Sequence, residues 1–134
     1  MYINNFILSA DMYETIHFPS RDIVIIEMCI QNKRPIYLVN INIAKGTSLI
    51  EELYRFLRQQ LCGNCYGGIM IAGDFNLHHS LWNLPEYTVC DGKSDELLDL
   101  MADNGLKLLL LTGTVTYPSA QTTIDLIWGS RIIE

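Results

Sequence analysis

The chain has 134 residues, nine Lys plus Arg against fifteen Asp plus Glu for a formal net charge of −6, and 49% hydrophobic residues. That balance suits one compact domain and excludes intrinsic disorder, because enough apolar surface is present to offset the ordering entropy. No apolar run approaches the roughly 20 residues of a membrane span, since Lys107 interrupts the longest, residues 106–111, so no membrane partner is expected. A sequence pI near 4.9 leaves few cations for neutralising phosphates and disfavours tight autonomous DNA or RNA binding.

Residues 1–10 lack the basic start and continuous apolar stretch of a secretory signal, with Asn4 and Asn5 interrupting them, so an intracellular setting is expected. The four cysteines (Cys29, Cys62, Cys65, Cys90) then read as reduced thiols. A single Cys-x-x-Cys at residues 62–65 is a weak zinc signal, because structural zinc needs four ligands. Residues 22–30 (DIVIIEMCI) and 35–43 (PIYLVNINI) are β-branched runs joined by four polar residues, which predicts an antiparallel hairpin. Thr47 or Ser48 can cap a following helix, with Glu51 in its first turn. Ile50, Leu53, Tyr54, Leu57 and Leu61 recur at helical spacing, and the end is expected near Gly63.

A short buried strand at residues 68–72 runs into Gly73-Asp74-Phe75-Asn76, and residues 77–92 read as an ordered loop. A second helix opens at Ser94, places Leu97, Leu98 and Met101 on one face, and stops at Asn104-Gly105. Residues 106–111 and 123–128 are two further strands separated by a Thr-rich connection containing Pro118. Strand, strand, helix, strand, loop, helix, strand, strand predicts an α/β layered sandwich with a mixed sheet. Tyr54, Phe56, Trp82 and Trp128 read as core or loop anchors.

Two places can carry chemistry. Asp74 and Asn76, two residues apart at a strand end, can reach one phosphate, metal or water if the backbone bends there, or they can form a structural turn through their own side chains. Asp125, a carboxylate within TTIDLIW, either faces solvent by strand alternation or is paired, because an unpaired buried charge is costly.

These segments, in this order, resemble the endonuclease/exonuclease/phosphatase superfamily, and in particular the apurinic-type endonuclease domains of non-LTR retrotransposons. GDFNLHHSLW at residues 73–82 is similar to that subfamily's Gly-Asp-Phe-Asn-x-His-His-x-x-Trp signature. TVTY at 114–117 is similar to its Pro-Thr-Phe-like segment, and TTIDLIW at 122–128 to its Ser-x-Ile-Asp-Leu strand. SRDIVIIEM and IYLVNINI resemble the strand pair before the helix, so the likeness runs from Ser20 to the C-terminus.

The resemblance implies a partial α/β sandwich over residues 1–134 and Mg²⁺- or Mn²⁺-dependent phosphodiester hydrolysis in DNA. Asp74 would orient or deprotonate the attacking water or protonate the leaving oxygen. Asn76 would hold the scissile phosphate, and both residues would serve the metal. Asp125 would orient a histidine, while His78 and His79 pack or hydrogen-bond within the loop or contact the substrate. The family's metal-binding Glu and closing Ser-Asp-His have no counterpart here, and Asn42 stands where the family often has Tyr, which predicts impaired catalysis. The alternatives are a non-catalytic remnant or binding module, self-associating through exposed edges, and a phosphatase acting on small molecules.

Overall fold

A computed structural model describes residues 9–43, 48–60 and 66–130. The elements run from a 3-10 turn at Ala10–Met12 to β1 (Tyr13–Ile16), β2 (Ile23–Met28), β3 (Ile36–Asn42), α1 (Leu49–Gln60), β4 (Gly68–Asp74), α2 (Gly92–Asp103), β5 (Leu106–Leu108) and β6 (Asp125–Ser130). All six strands lie in one mixed sheet in the order β1-β2-β3-β4-β6-β5. Only β3 and β4 are parallel; the other pairs are antiparallel. The expected hairpin is β2–β3, paired from Met28 opposite Ile36 to Ile23 opposite Ile41. β1 had no counterpart in the sequence pattern; it is short, carries Glu14 and Thr15 outward, and borders β2.

Period-two alternation gives the sheet two unlike faces. Val39, Ile41, Ile69, Ile71, Leu126 and Trp128 point to one face and are buried against the apolar sides of the helices. α1 contributes Leu53, Phe56 and Leu57, and α2 contributes Leu97, Leu100 and Met101. Phe56, rather than Tyr54, completes the α1 stripe: at about 100° per residue Tyr54 lies roughly a quarter-turn off the buried face, and it is 50% exposed. The opposite face carries Val24, 42% exposed, and Ile127, 37% exposed, together with half-buried Leu38, Met70 and Ala72.

Several boundaries move for local reasons. β4 extends to Asp74, because Gly73 has φ +140° and continues the ladder opposite Ile41 and Leu126. α2 starts two residues before Ser94, with Asp91 as N-cap residue, and ends as expected: Gly105 takes φ +67° and the Asn104 side chain donates to the Leu100 carbonyl at 2.8 Å. β5 leaves the ladder after Leu108, so the expected six-residue strand is halved and Leu111 is 81% exposed. β6 begins at Asp125 instead of Thr123. The helix caps expected at Thr47 and the stop at Gly63 lie outside the described residues, as do Cys62 and Cys65.

Gly73 is the tightest point of the sheet. A Cβ there would stand 1.9 Å from the Ile41 carbonyl oxygen, whereas one at Gly92 meets nothing within 4 Å. Gly73→Ala is therefore expected to cost at least about 3 kcal/mol, combining positive-φ strain with backbone displacement. Gly92→Ala should leave stability unchanged or raise it by up to about 1 kcal/mol. Urea denaturation of the two variants measures the contrast.

Candidate active site

The β4 strand carries its last residue, Asp74, between two neighbours. Asn42 of β3 lies opposite it on one side and Asp125 of β6 on the other. Paired residues share a face, so Asn42, Asp74 and Asp125 stand in a row across three strands. Adjacent strands are about 4.8 Å apart, which brings the two carboxylates close enough to interact. The row lies on the face opposite the helices, at the end of the sheet where the long loops gather.

Immediately after Asp74 the chain bends. Asn76 takes φ +49°, and its N–H donates to Asp74 Oδ1 at 2.8 Å. The turn and the site are thus the same feature: one carboxylate oxygen holds the bend while Asp74 and Asn76 both line a cavity of about 350 Å³. Its other walls are His78 and, from the β5–β6 connection, Tyr117, Ala120, Thr122 and Ile124. Burial raises the Asp74 pKa above the ordinary carboxylate value; the Asn76 N–H opposes that rise and the nearby Asp125 charge adds to it. Asp125 is exposed at the first residue of its strand, which selects the solvent-facing alternative, and its backbone N–H donates to Thr116 Oγ1 at 3.1 Å.

The paired histidines part company. His78 stacks on Tyr87 with ring centroids 5.2 Å apart, and its backbone N–H donates to Asp91 Oδ2 at 3.0 Å. Its Nδ1 is buried with no hydrogen-bond partner, while its side chain borders the cavity that holds Asp74. His79 turns to the loop and α2. Its Nδ1 accepts from the Leu81 N–H at 3.0 Å, leaving Nε2 to face Asp95 Oδ1 at 3.3 Å, and its ring stacks on Trp82. Adjacent residues in an irregular loop need not share a side, and here one borders the cavity while the other packs.

The loop is held by Trp82, an anchor as expected, and by Asn83 and Thr123, which sequence spacing passed over. Trp82 is buried, donates its indole N–H to the Leu77 carbonyl at 3.2 Å and meets Trp128 edge-on. Asn83, also buried, donates its side-chain amide to the His79 carbonyl at 3.1 Å and accepts the Thr123 N–H at 2.7 Å. The Thr123 hydroxyl donates to the Thr114 carbonyl at 2.6 Å, and the Gly113 N–H to the Trp82 carbonyl at 3.0 Å. Together these bonds join the loop after Asp74 to the connection before Asp125. The sequence signal for Asn83 was its place directly after the motif's Trp.

The endonuclease-reverse transcriptase family model matches residues 35–134. The chain belongs to this family. The endonuclease domain of TRAS1, a telomere-specific non-LTR retrotransposon, has a similar fold: TM-score 0.68 at 18% identity, covering 92% of this chain and 57% of that domain. A Haemophilus ducreyi cytolethal distending toxin structure aligns at TM-score 0.48 and 12% identity, over 95% of this chain and 46% of that one. No curated protein sequence matches significantly. The chain therefore spans just over half the length of the TRAS1 domain, and the endonuclease/exonuclease/phosphatase resemblance and the mixed-sheet α/β sandwich both stand.

In this endonuclease-family chain the described cysteines, Cys29 and Cys90, are exposed free thiols. Among the described residues, no group of three or more His, Cys, Asp or Glu could hold a metal. The donors at the cavity are oxygen, the carboxylate of Asp74 and the carboxamide of Asn76, and the exposed Asp125 carboxylate stands beside Asp74 in the row. Such a set fits a hard divalent cation of the Mg²⁺ type, which takes one or two carboxylates and keeps several waters, and a cation there would relieve the repulsion between the two carboxylates.

Two outcomes follow from this geometry. Asn83→Ala should cost about 1 to 3 kcal/mol, because it orphans the buried Thr123 N–H, and a thermal melt will show it as a lowered Tm. A raised Asp74 pKa means that the folded state holds its proton more tightly than the unfolded chain, so stability falls as pH rises above the ordinary aspartate range. Asp74→Asn keeps the oxygen that accepts the Asn76 N–H and removes the titration. It is expected to be more stable than wild type at neutral pH by no more than about 1 kcal/mol, since water screens a partly exposed carboxylate. The advantage should vanish at acid pH, as urea denaturation at the two pH values will show.

Proposed function

We propose that this chain carries part of the active site of a divalent-metal-dependent endonuclease that hydrolyses phosphodiester bonds in DNA. The observation that carries the reading is the alignment of Asp74 with Asp125 across β4 and β6, with Asp74 and Asn76 lining a cavity of a chain that matches the endonuclease-reverse transcriptase family over residues 35–134.

Asp74 accepts the proton of an attacking water or returns one to the leaving oxygen. The Asn76 side-chain amide donates to a phosphate oxygen. Its left-handed backbone keeps it beside Asp74, so orientation is settled before substrate arrives. Asp125 maintains negative charge next to Asp74 and supports its basicity. His78 borders the same cavity as a substrate contact, and His79 positions the loop through Asp95 and Trp82. Bound Mg²⁺ or Mn²⁺, held by Asp74 and Asn76, would supply stabilisation of charge on the phosphate oxygens.

A net charge of −6 makes DNA binding weak, since few cations are left to neutralise phosphates. A second reading, a non-catalytic binding module, is favoured by the exposed Val24 and Ile127 on the sheet face that carries the site row, since such a surface suits burial against another segment or a second copy. One assay separates the two. Supercoiled plasmid is incubated with the folded 134-residue chain and Mg²⁺ or EDTA, beside Asp74→Ala, Asn76→Ala and Asp125→Ala. Weak, EDTA-sensitive nicking is expected from a chain that carries part of the site, lost in Asp74→Ala and reduced about 10-fold or more by each of the others. Nicking that is unchanged in Asp74→Ala, or a folded wild type that does not nick, would overturn the endonuclease reading.

A further inference from the structure

The helix layer presents a second concavity, away from the site row. β3 and β4 are parallel, so α1, which joins them, runs back against both. β4 and β5 each lie antiparallel to β6 and are therefore parallel to one another, so α2 runs back likewise. The two helices are parallel neighbours, and between them lies an open groove of about 810 Å³. From Ile50 to Gln59 it follows α1 for about 14 Å at 1.5 Å per residue, or some two and a half turns.

Its floor is apolar and its walls carry opposite charge. Half-buried Ile50, half-exposed Tyr54 and buried Leu100 form the floor. Glu51, Arg55 and Arg58 stand on the α1 wall, and Glu96, Asp99 and Asp103 on the α2 wall, so the first carries net positive charge and the second negative. The groove keeps the walls apart, and among the described residues no salt bridge joins these charges across it. Arg58 is already ordered, since its Nη1 donates to the Tyr54 hydroxyl at 3.0 Å and its guanidinium lies 5.5 Å from that ring's centre.

We propose that this groove docks an amphipathic, net-basic helical segment of a partner protein. The segment's apolar stripe would lie on Ile50, Tyr54 and Leu100, its acidic edge against Arg55 and Arg58, and its basic edge against Glu96, Asp99 and Asp103. A helix laid between two parallel helices buries the stripe and meets both walls with complementary charge, which neither wall provides for the other. Four carboxylates against two guanidiniums, in a chain of net charge −6, select a basic segment and steer its approach. A nucleic acid satisfies only the α1 wall and is repelled by the other. The preset Arg58 lowers the ordering cost of binding. This surface is independent of whether the chain cuts DNA.

The test uses the full chain and a fluorescein-labelled synthetic helix of about 12 residues, matched to the groove length. The probe has leucines at i, i+4 and i+7, lysines along one edge and fewer glutamates along the other. Anisotropy titration at low salt should show saturable binding, weakened at least about tenfold by Asp99→Lys with Asp103→Lys and by Arg55→Glu with Arg58→Glu. A peptide with its lysines changed to glutamates should bind the Asp99→Lys, Asp103→Lys chain better than wild type. That rescue cannot come from a general loss of structure, and Asp99→Asn with Asp103→Asn gives a milder loss in a chain of nearly unchanged shape. No saturable binding to wild type, equal affinity across all variants, or displacement of the probe by duplex DNA would overturn the proposal. So would a dimer of the chain alone, in sedimentation velocity, that the same reversals dissolve, because the occupant would then be a second copy.

Discussion

The close approach of β3 to the end of β4 is the constraint on which the rest of the structure depends. At Gly73 the Ile41 carbonyl occupies the space where any side chain would begin, and the glycine's φ of +140° lets β4 continue one residue further, to Asp74, before the chain turns. That extra residue places a carboxylate in the last rung of the ladder, flanked by Asn42 and Asp125. One residue shorter, β4 would end at Gly73 and Asp74 would belong to the loop. Backbone packing in the sheet interior thus decides the position of the polar row at its edge.

Two long connections then have to be held over that edge without regular structure. Buried backbone groups need partners, and here they find them between the connections: Asn83 links the His79 carbonyl to the Thr123 N–H, Thr116 accepts from both Ile124 and Asp125, and Trp82 fills the space beneath. His79 joins this framework through Asp95 on α2, and His78 is left at the cavity. The same side-chain type thereby has two physical settings in consecutive positions, one accepting the Leu81 N–H at Nδ1 with Nε2 3.3 Å from Asp95, and one with an orphaned Nδ1.

The sheet's two faces explain how one small chain can carry two separate surfaces. The helix-covered face supplies the core, and the outer side of that layer forms the charged groove. The opposite face carries the polar row and half-exposed aliphatic residues such as Val24 and Ile127.

Local patterns were enough for most of the elements. The β-branched runs at 22–30 and 35–43, the helical spacing of Leu53 and Leu57, and the Asn104-Gly105 stop each reflect interactions between near neighbours, and all appear within a few residues of their expected places. Asp74, Asn76 and Asp125 were legible as candidates through their motif, whereas spacing alone left a structural turn open for Asp74 and Asn76, because Asp and Asn commonly shape turns through their own side chains. Tyr54 was misplaced because helical spacing alone does not centre the buried arc, and the halved β5 and shifted β6 were misread because strand ends depend on which partner offers a ladder. Likewise β1, short and half polar, exists because β2 presents an unpaired edge. The amino-acid sequence by itself determined the family, the mixed α/β class and the candidate site residues. Only the tertiary structure decided that Asp74 faces Asp125, that His78 rather than His79 borders the cavity lined by Asp74 and Asn76, and that Asn83 binds the loops together, because each of these depends on contacts between segments far apart in the chain, whose distances no local periodicity encodes.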